Sequence, residues 1–357
     1  MRVRIVSYED INAWILGKFA RKLHEELIKL GVNADISNKP DADADINHHI
    51  IYLGYNVGTA TKADTLMITH IDDIRKLQML TTQMKAAKAG ICMSESVMNE
   101  LVTQGVPKNK ICYINPAHDD IMRPRKIVIG VTSKVQPDGC KREELVEELF
   151  NNISPEIFSL SIMGAGWDKI VERLRKKGHT VTYYDEFNYK KYSELVPSFD
   201  YYIYTGQDEG SMGFIDALAA GVRTVVTPQG FHLDAPLGIY KSFNESHELI
   251  SIFKEIEKEK LTLIDAVSSW TWKDYAIKHL ELWKYILKPD DAQKSEYSDG
   301  LNSLLGNKKP RDEKQAQEFR KRLIKGAFRR SLKKTKKLSD IKFVVKKLKR
   351  LLGVYVL

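Results

Sequence analysis

Short apolar runs alternate with longer segments of helical periodicity along most of this chain, the pattern of parallel βαβ units. Arg2 to Ser7 predicts a first strand. Trp14 to Leu30 repeats apolar residues at helical spacing and stops at Gly31, and Val32 to Ser37 predicts the next strand. Ile50 to Leu53, Thr65 to Thr69 and Gly90 to Ser94 are further strand candidates. Ser94 caps a short helix that stops at Gly105 and returns as a strand. A second alternation begins at Lys126 to Gly130. It continues with a helix from Glu143 to Phe150 and strands at Phe158 to Met163, Val181 to Tyr184, Tyr201 to Tyr204 and Thr224 to Thr227. Arg123-Pro124-Arg125 between the two series predicts a linker. Domains are therefore expected at 1–122 and 123–287, the second closing with a helix that Ser269 to Trp272 caps and that reaches about Leu287. Residues 288–357 are expected to form a linker and a basic helical tail.

The tail carries the charge. From Lys308 to Leu357 there are 19 Lys or Arg against 4 Asp or Glu, a net +15 in a chain whose total is +9, which leaves the remainder at −6. Ile341, Val344, Val345, Leu348, Leu351 and Leu352 fall on one helical stripe with lysines between them, and Phe319, Leu323, Phe328 and Leu332 make a similar stripe that Gly326 weakens. Such a helix is expected to hold an anionic membrane surface through residues 308–357. Docking on the protein's own acidic body is the alternative. Nucleic acid is not expected as a partner, because no aromatic-interleaved RNA motif or zinc spacing accompanies the charge.

The 357 residues suffice for two domains. No run of about 18 apolar residues occurs, and the chain opens on a strand rather than on a signal peptide. A cytoplasmic protein is expected, peripherally associated with the inner face of the membrane. Cys92, Cys112 and Cys140 lack Cys-x-x-Cys spacing and read as reduced and structural.

Between Asp208 and Gly221 the chain reads Asp-Glu-Gly-Ser-Met-Gly-Phe-Ile-Asp-Ala-Leu-Ala-Ala-Gly, a glycine-bearing loop running into an Ala-rich helix start. Asp208 and Asp216 are eight residues apart, so a loop and a helix start can aim both at one ligand. A sugar nucleotide suits that geometry. The helix start offers N–H groups and a positive dipole end to a diphosphate, and a carboxylate accepts from vicinal hydroxyls.

This segment resembles the donor-site motif of retaining glycosyltransferases of family 4, which have the GT-B fold. Gly210, Met212, Gly213, Ala217, Ala219 and Gly221 fit it in register. Asp208 and Asp216 stand where the family has Glu, and Glu209 where a Gly is common, so either Asp208 or Glu209 is the first carboxylate. Ser94, Gly105, Lys110, Ile111, Ile114, Asn115 and Asp119 are similar to the end of the family's N-terminal domain, whereas Pro116 and His118 depart from it.

The resemblance covers residues 90 to 285 well and the first 90 in outline. It implies an α/β protein with two Rossmann-like domains facing across a cleft, the first on the acceptor side and the second on the donor side. It further implies a nucleotide-diphosphate sugar donor, retention of configuration, no obligatory metal and a glycan or lipid-linked glycan acceptor, as in cell-envelope polysaccharide or glycoconjugate synthesis. No cofactor is expected. Gly130, Lys134 and Lys141 lie at the end of the second domain's first strand, where open α/β sheets bind ligands. Lysine there offsets a diphosphate, with Arg142 adjacent. Gly164, in Gly164-Ala165-Gly166, stands where the family commonly has Gly-x-Gly near the donor. Gly210, Ser211, Met212 and Gly213 form the donor loop, Asp208 or Glu209 orients the sugar, and Asp216 binds the ribose. His70, at the end of an apolar strand, is expected to donate to the sugar or a phosphate oxygen. Tyr8, Glu9 and Asp10 replace the family's Gly-Gly pair, which implies different acceptor contacts. A non-catalytic GT-B relative acting as a scaffold, or as a membrane-associated binding protein, is the alternative.

Overall fold

Parallel strands cannot be joined by tight turns and need crossovers, so the alternation above dictates sheets layered with helices. The computed structural model describes residues 1–289, 299–306, 308 and 312–334. Two units form, one of Met1–Asp120 with the chain from Ser269 onward, the other of Ile121–Ser268.

The first unit holds β1 (Arg2–Val6), β2 (Asn33–Ser37), β3 (Ile46–His49), β4 (Asp64–Ile68), β5 (Ala89–Cys92) and β6 (Ile111–Tyr113). They pair in parallel in the order β2-β1-β3-β4-β5-β6. Helix α1 (Trp14–Lys29) buries Phe19, Ala20, Leu23 and Leu27 on one face of this sheet. Helices α2 (Ile74–Ala86) and α3 (Glu95–Thr103) bury Leu77, Leu80, Met84, Met98 and Leu101 on the other. Ser94 caps α3 as expected, its hydroxyl accepting from the Val97 N–H at 3.3 Å.

The strand expected at Ile50 to Leu53 lies earlier, at β3, and residues 52–54 form a 3-10 turn. The reason is that β3 buries polar side chains by bonding each one. Asn47 donates to the Asp41 carbonyl at 2.8 Å, His48 Nδ1 lies 3.0 Å from Thr65 Oγ1, and His49 Nδ1 lies 2.8 Å from the Tyr8 hydroxyl. A strand of this composition carries no apolar signature.

The second unit holds β7 (Ile127–Val131), β8 (Phe158–Met163), β9 (Thr180–Tyr184), β10 (Tyr201–Tyr204), β11 (Arg223–Val226) and β12 (Ile239–Ser242). Its parallel order is β12-β11-β10-β7-β8-β9. Between the strands lie α4 (Glu144–Asn152), α5 (Asp168–Lys176), α6 (Tyr189–Leu195) and α7 (Met212–Ala219), and α8 (Ser246–Asp265) follows β12. The chain builds outward from β7 to β9, then returns to the other side of β7 with β10. That reversal is the topological switch point, and ligands of open α/β sheets lie outside the strand ends there. The two Rossmann-like units of the expected fold class are thus present.

The chain then re-enters the first unit. Helix α9 (Trp272–Leu287), grouped with the second domain on sequence pattern, buries Trp272, Tyr275, Leu282 and Trp283 in the same core as α1. The His118 N–H donates to the Trp270 carbonyl at 2.8 Å, joining outgoing and returning chain. Helix α10 (Asp299–Leu305) follows, and the Ser303 hydroxyl accepts from the Tyr113 N–H at 3.1 Å. Helix α11 (Glu313–Lys334) lays Phe319, Leu323 and Ala327 against the core of α2 and α3. The upstream stripe of the basic tail is therefore covered by the protein itself, with Phe319 and Leu323 buried and Phe328 half-buried. The side chain of Leu332 and the repeat from Ile341 to Leu352 lie outside the described residues. Among the described residues no helix is long and apolar enough to cross a membrane.

Candidate functional site

The loop from Thr205 to Ser211 leaves the end of β10 beside the end of β7, at the switch point, and is fastened along its length. The Thr205 hydroxyl donates to the Lys141 carbonyl at 2.6 Å, and Arg142 Nε returns a bond to the Thr205 carbonyl at 2.7 Å. Arg142 Nη1 also donates to the Asn244 carbonyl at 2.8 Å. The Gly206 carbonyl accepts from Thr227 Oγ1 at 2.7 Å and from the Gln229 amide. The Gln207 N–H donates to the Cys140 carbonyl at 2.7 Å. Arg142 has φ of 46°, a left-handed backbone that a non-glycine residue keeps only when its surroundings impose it. Its guanidinium supplies that constraint by tying together the ends of β10 and β12, so Arg142 braces the site.

Asp208 is the centre of the loop. Its carboxylate accepts from Lys141 Nζ, from the Tyr204 hydroxyl at 2.7 Å and from the Gly210 N–H at 3.0 Å. Lys141 also donates to the Tyr204 hydroxyl at 2.6 Å. Burial pushes the Asp208 carboxyl up, but the bonds from Lys141, Tyr204 and the Gly210 N–H outweigh it and hold the group below the usual carboxylate range. Burial, then Asp208, pushes the Tyr204 phenol well above its ordinary value, so it stays a donor. The neighbouring Glu209 is exposed, and only its carbonyl is engaged, accepting from the Phe231 N–H at 3.1 Å.

The start of α7 depends on two glycines. Gly210 has φ of 118°, a region L side chains rarely adopt. A Cβ on Gly213 would lie 2.0 Å from Thr132 Oγ1 and 2.6 Å from the Tyr202 hydroxyl, so α7 approaches the end of β7 only because that residue is glycine. Ser211 caps the helix, accepting from the Gly213 N–H at 3.2 Å, and lies 2.7 Å from the Tyr202 hydroxyl. Its own N–H donates to Nε2 of the fully buried His232 at 3.0 Å, while Nδ1 of that ring lies 3.0 Å from the Thr227 carbonyl. The ring proton therefore sits on Nδ1. Met212 is the exposed first residue of α7. Asp216 is half-buried further along the helix and accepts from the Tyr192 hydroxyl at 2.6 Å.

Lys141, Asp208, Gly210, Ser211 and Gly213 are thus gathered around one loop and helix start, with Asp216 on the same helix. Lys134 is exposed on the loop after β7. Gly164, with φ of 148°, packs so closely on that loop that a Cβ would lie 2.2 Å from the Ser133 carbonyl, and Trp167 Nε1 donates to the same carbonyl at 2.7 Å. Gly130 lies within β7, where a Cβ would be 2.1 Å from the Phe199 ring, so it makes room for packing. His70 belongs to the first unit. It is exposed, with Nδ1 3.1 Å from Thr69 Oγ1 and its carbonyl accepting from the Tyr52 hydroxyl at 3.0 Å. The sequence reading missed Thr132, Tyr192, Tyr202, Tyr204 and His232. Tyr202 and Tyr204 did leave a signal, two hydroxyls on one strand face immediately before an acidic loop. Thr132, Tyr192 and His232 join from separate segments and left none.

No family model and no curated protein matches the chain. Among solved structures, HepE from Anabaena in complex with UDP and glucose is similar at 12% identity over 80% of this chain and 99% of that one, with a TM-score of 0.32. The lipopolysaccharide outer core galactosyltransferase WaaB is similar at 9% identity over 78% of this chain and 99% of its own, with a TM-score of 0.34. The catalytic domain of a cholesterol-α-glucosyltransferase from Helicobacter pylori has 13% identity over 43% of this chain and 99% of its own, with a TM-score of 0.32. At such identities and TM-scores the functional reading rests on the chain's own residues.

Proposed function

We propose that this protein is a glycosyltransferase that moves a hexose, with retention, from a nucleotide-diphosphate sugar to a glycan or lipid-linked glycan, in cell-envelope polysaccharide or glycoconjugate synthesis. One observation carries the reading. The resemblance to the family 4 donor motif falls on residues that converge at the switch point of a doubly wound sheet, with Lys141 and Asp208 beside a capped helix start. In this reading Lys141 and the N–H groups opening α7 offset the charge that develops on the departing diphosphate. Asp208 orients the sugar hydroxyls, Asp216 binds the ribose, and His70 donates a hydrogen bond to the sugar. Lys134 adds positive charge near the diphosphate.

Isothermal titration with a panel of nucleoside diphosphates tests the site. Binding of one of them, weakened by roughly tenfold or more in Lys141→Met, is the expected result. Failure to bind any would overturn the transferase and favour the scaffold, a reading supported by both acidic groups already being engaged by Lys141 and Tyr192.

The basic sequence beyond Lys334 supports a cytoplasmic enzyme held at the inner membrane face. Because α11 is part of the first unit's core, the appropriate comparison is the full chain against one ending at Lys334. Co-sedimentation of only the full chain with vesicles containing anionic lipid is expected, and equal recovery of both in the supernatant would sink the idea.

A further inference from the structure

The loop that carries His70 is fastened to α11. Arg330, on α11, donates to Asp72 Oδ2 at 2.5 Å and to the Asp72 carbonyl at 2.7 Å. Its Nε lies 3.5 Å from Asp73 Oδ2. Gly326, one turn earlier, presses on the same carbonyl, since a Cβ there would lie 2.0 Å from it. On the other side of the loop the buried Tyr52 holds the His70 carbonyl at 3.0 Å. Asp73 then caps α2, accepting from the Arg75 N–H at 2.8 Å.

These contacts differ from those that hold the helix in place. Phe319, Leu323 and Ala327 bury its apolar face, and Arg322 pairs with Glu100 at 2.8 Å. Arg330 and Gly326 address one short loop instead. A guanidinium that grips both the side chain and the main chain of one residue fixes backbone direction as well as charge, which an ammonium cannot do. The glycine at 326, unfavourable for helix propensity, has its reason in this close approach.

We propose that Arg330 is a positioning residue for loop 69–73, so that the orientation of His70 depends on the docking of α11. The consequence for turnover rests on the sugar contact assigned to His70 above. Hydrogen–deuterium exchange of the full chain tests the clamp directly. Arg330→Ala and Gly326→Ala, the second of which deletes no charge, should each raise exchange at residues 69–73 by roughly tenfold. Arg322→Ala, which breaks the ion pair of α11 with Glu100, should leave those residues as they were.

Steady-state kinetics then read the consequence. Arg330→Ala should lower kcat by roughly tenfold with little change in donor KM, and Arg330→Lys should restore part of it. His70→Ala combined with Arg330→Ala should be no slower than His70→Ala alone. Unchanged exchange at 69–73 in both α11 variants overturns the clamp, and additive losses in the double variant overturn its action through His70. A His70→Ala enzyme with full activity would instead remove the role assigned to His70, and exchange alone would still decide whether the clamp exists.

Discussion

The Tyr204 hydroxyl accepts from the Lys141 ammonium at 2.6 Å and donates to the Asp208 carboxylate at 2.7 Å, so one phenol bridges a cation and an anion that also touch each other. A diphosphate reaching Lys141 must compete with Asp208. Asp208→Asn should therefore tighten binding of a nucleoside diphosphate by a few-fold, in line with the roughly 1 kcal/mol upper value of a partly exposed ion pair, while slowing transfer. Lys141→Met should weaken the same binding by roughly tenfold or more, because a charge-assisted bond of about 1.5–3 kcal/mol is lost. Calorimetry on the two variants checks both, and weaker binding in Asp208→Asn would contradict the competition.

The carboxylates of Asp72 and Asp208 give the protein a common acid limit. Arg330 foremost holds the Asp72 carboxyl well below its ordinary value, and the bonds to Asp208 do the same against burial. Groups with a depressed folded pKa contribute stability that is complete above the unfolded value of about 4 and is lost as pH falls through the folded one. Urea midpoints should accordingly hold level from pH 7 to 5 and fall below about pH 4. Arg330→Ala should remove part of that acid dependence, seen as a shallower fall.

Gly213→Ala places a methyl 2.0 Å from Thr132 Oγ1 in a helix start that has no slack. Overpacking of this kind costs about 1–3 kcal/mol. A lowered Tm is expected together with weaker nucleotide binding, because relieving the clash displaces Thr132 and Tyr202 or moves α7 away from β7. A variant with parental Tm and affinity would show that the approach is not required.

His232→Ala leaves the Ser211 N–H without its buried acceptor, at a cost of about 1–3 kcal/mol before the cavity is counted. The expected outcome is a destabilised protein whose donor affinity falls although no direct ligand contact has been removed. Thermal melts with and without saturating nucleoside diphosphate separate the two effects.

The second unit was readable because its strands are apolar and its site loop is continuous in sequence. Phe158–Met163 and Tyr201–Tyr204 are the predicted strands residue for residue. The first unit was harder, because β3 hides a polar set behind lateral hydrogen bonds and Ile50 to Leu53 mimics a strand without forming one. At the candidate site, the spacing of Asp208 and Asp216 and the resemblance of Gly210 and Gly213 to the family motif single out the loop. Nothing in the sequence could reveal that Lys141 would be drawn to Asp208, or that His232 would support Ser211, since those pairings arise only when separate crossovers meet. The upstream stripe at Phe319 and Leu323 was visible as a helix face, but only folding decides that it faces its own protein.

The second unit is threaded between two parts of the first, which recovers Trp272, Tyr275 and Trp283 only after Ser268. During synthesis the leading domain therefore cannot be completed until the whole of the second unit has been made. The later sheet can complete while the earlier one still lacks an aromatic wall over one side, and a nascent chain halted before Trp272 presents that greasy surface to chaperones.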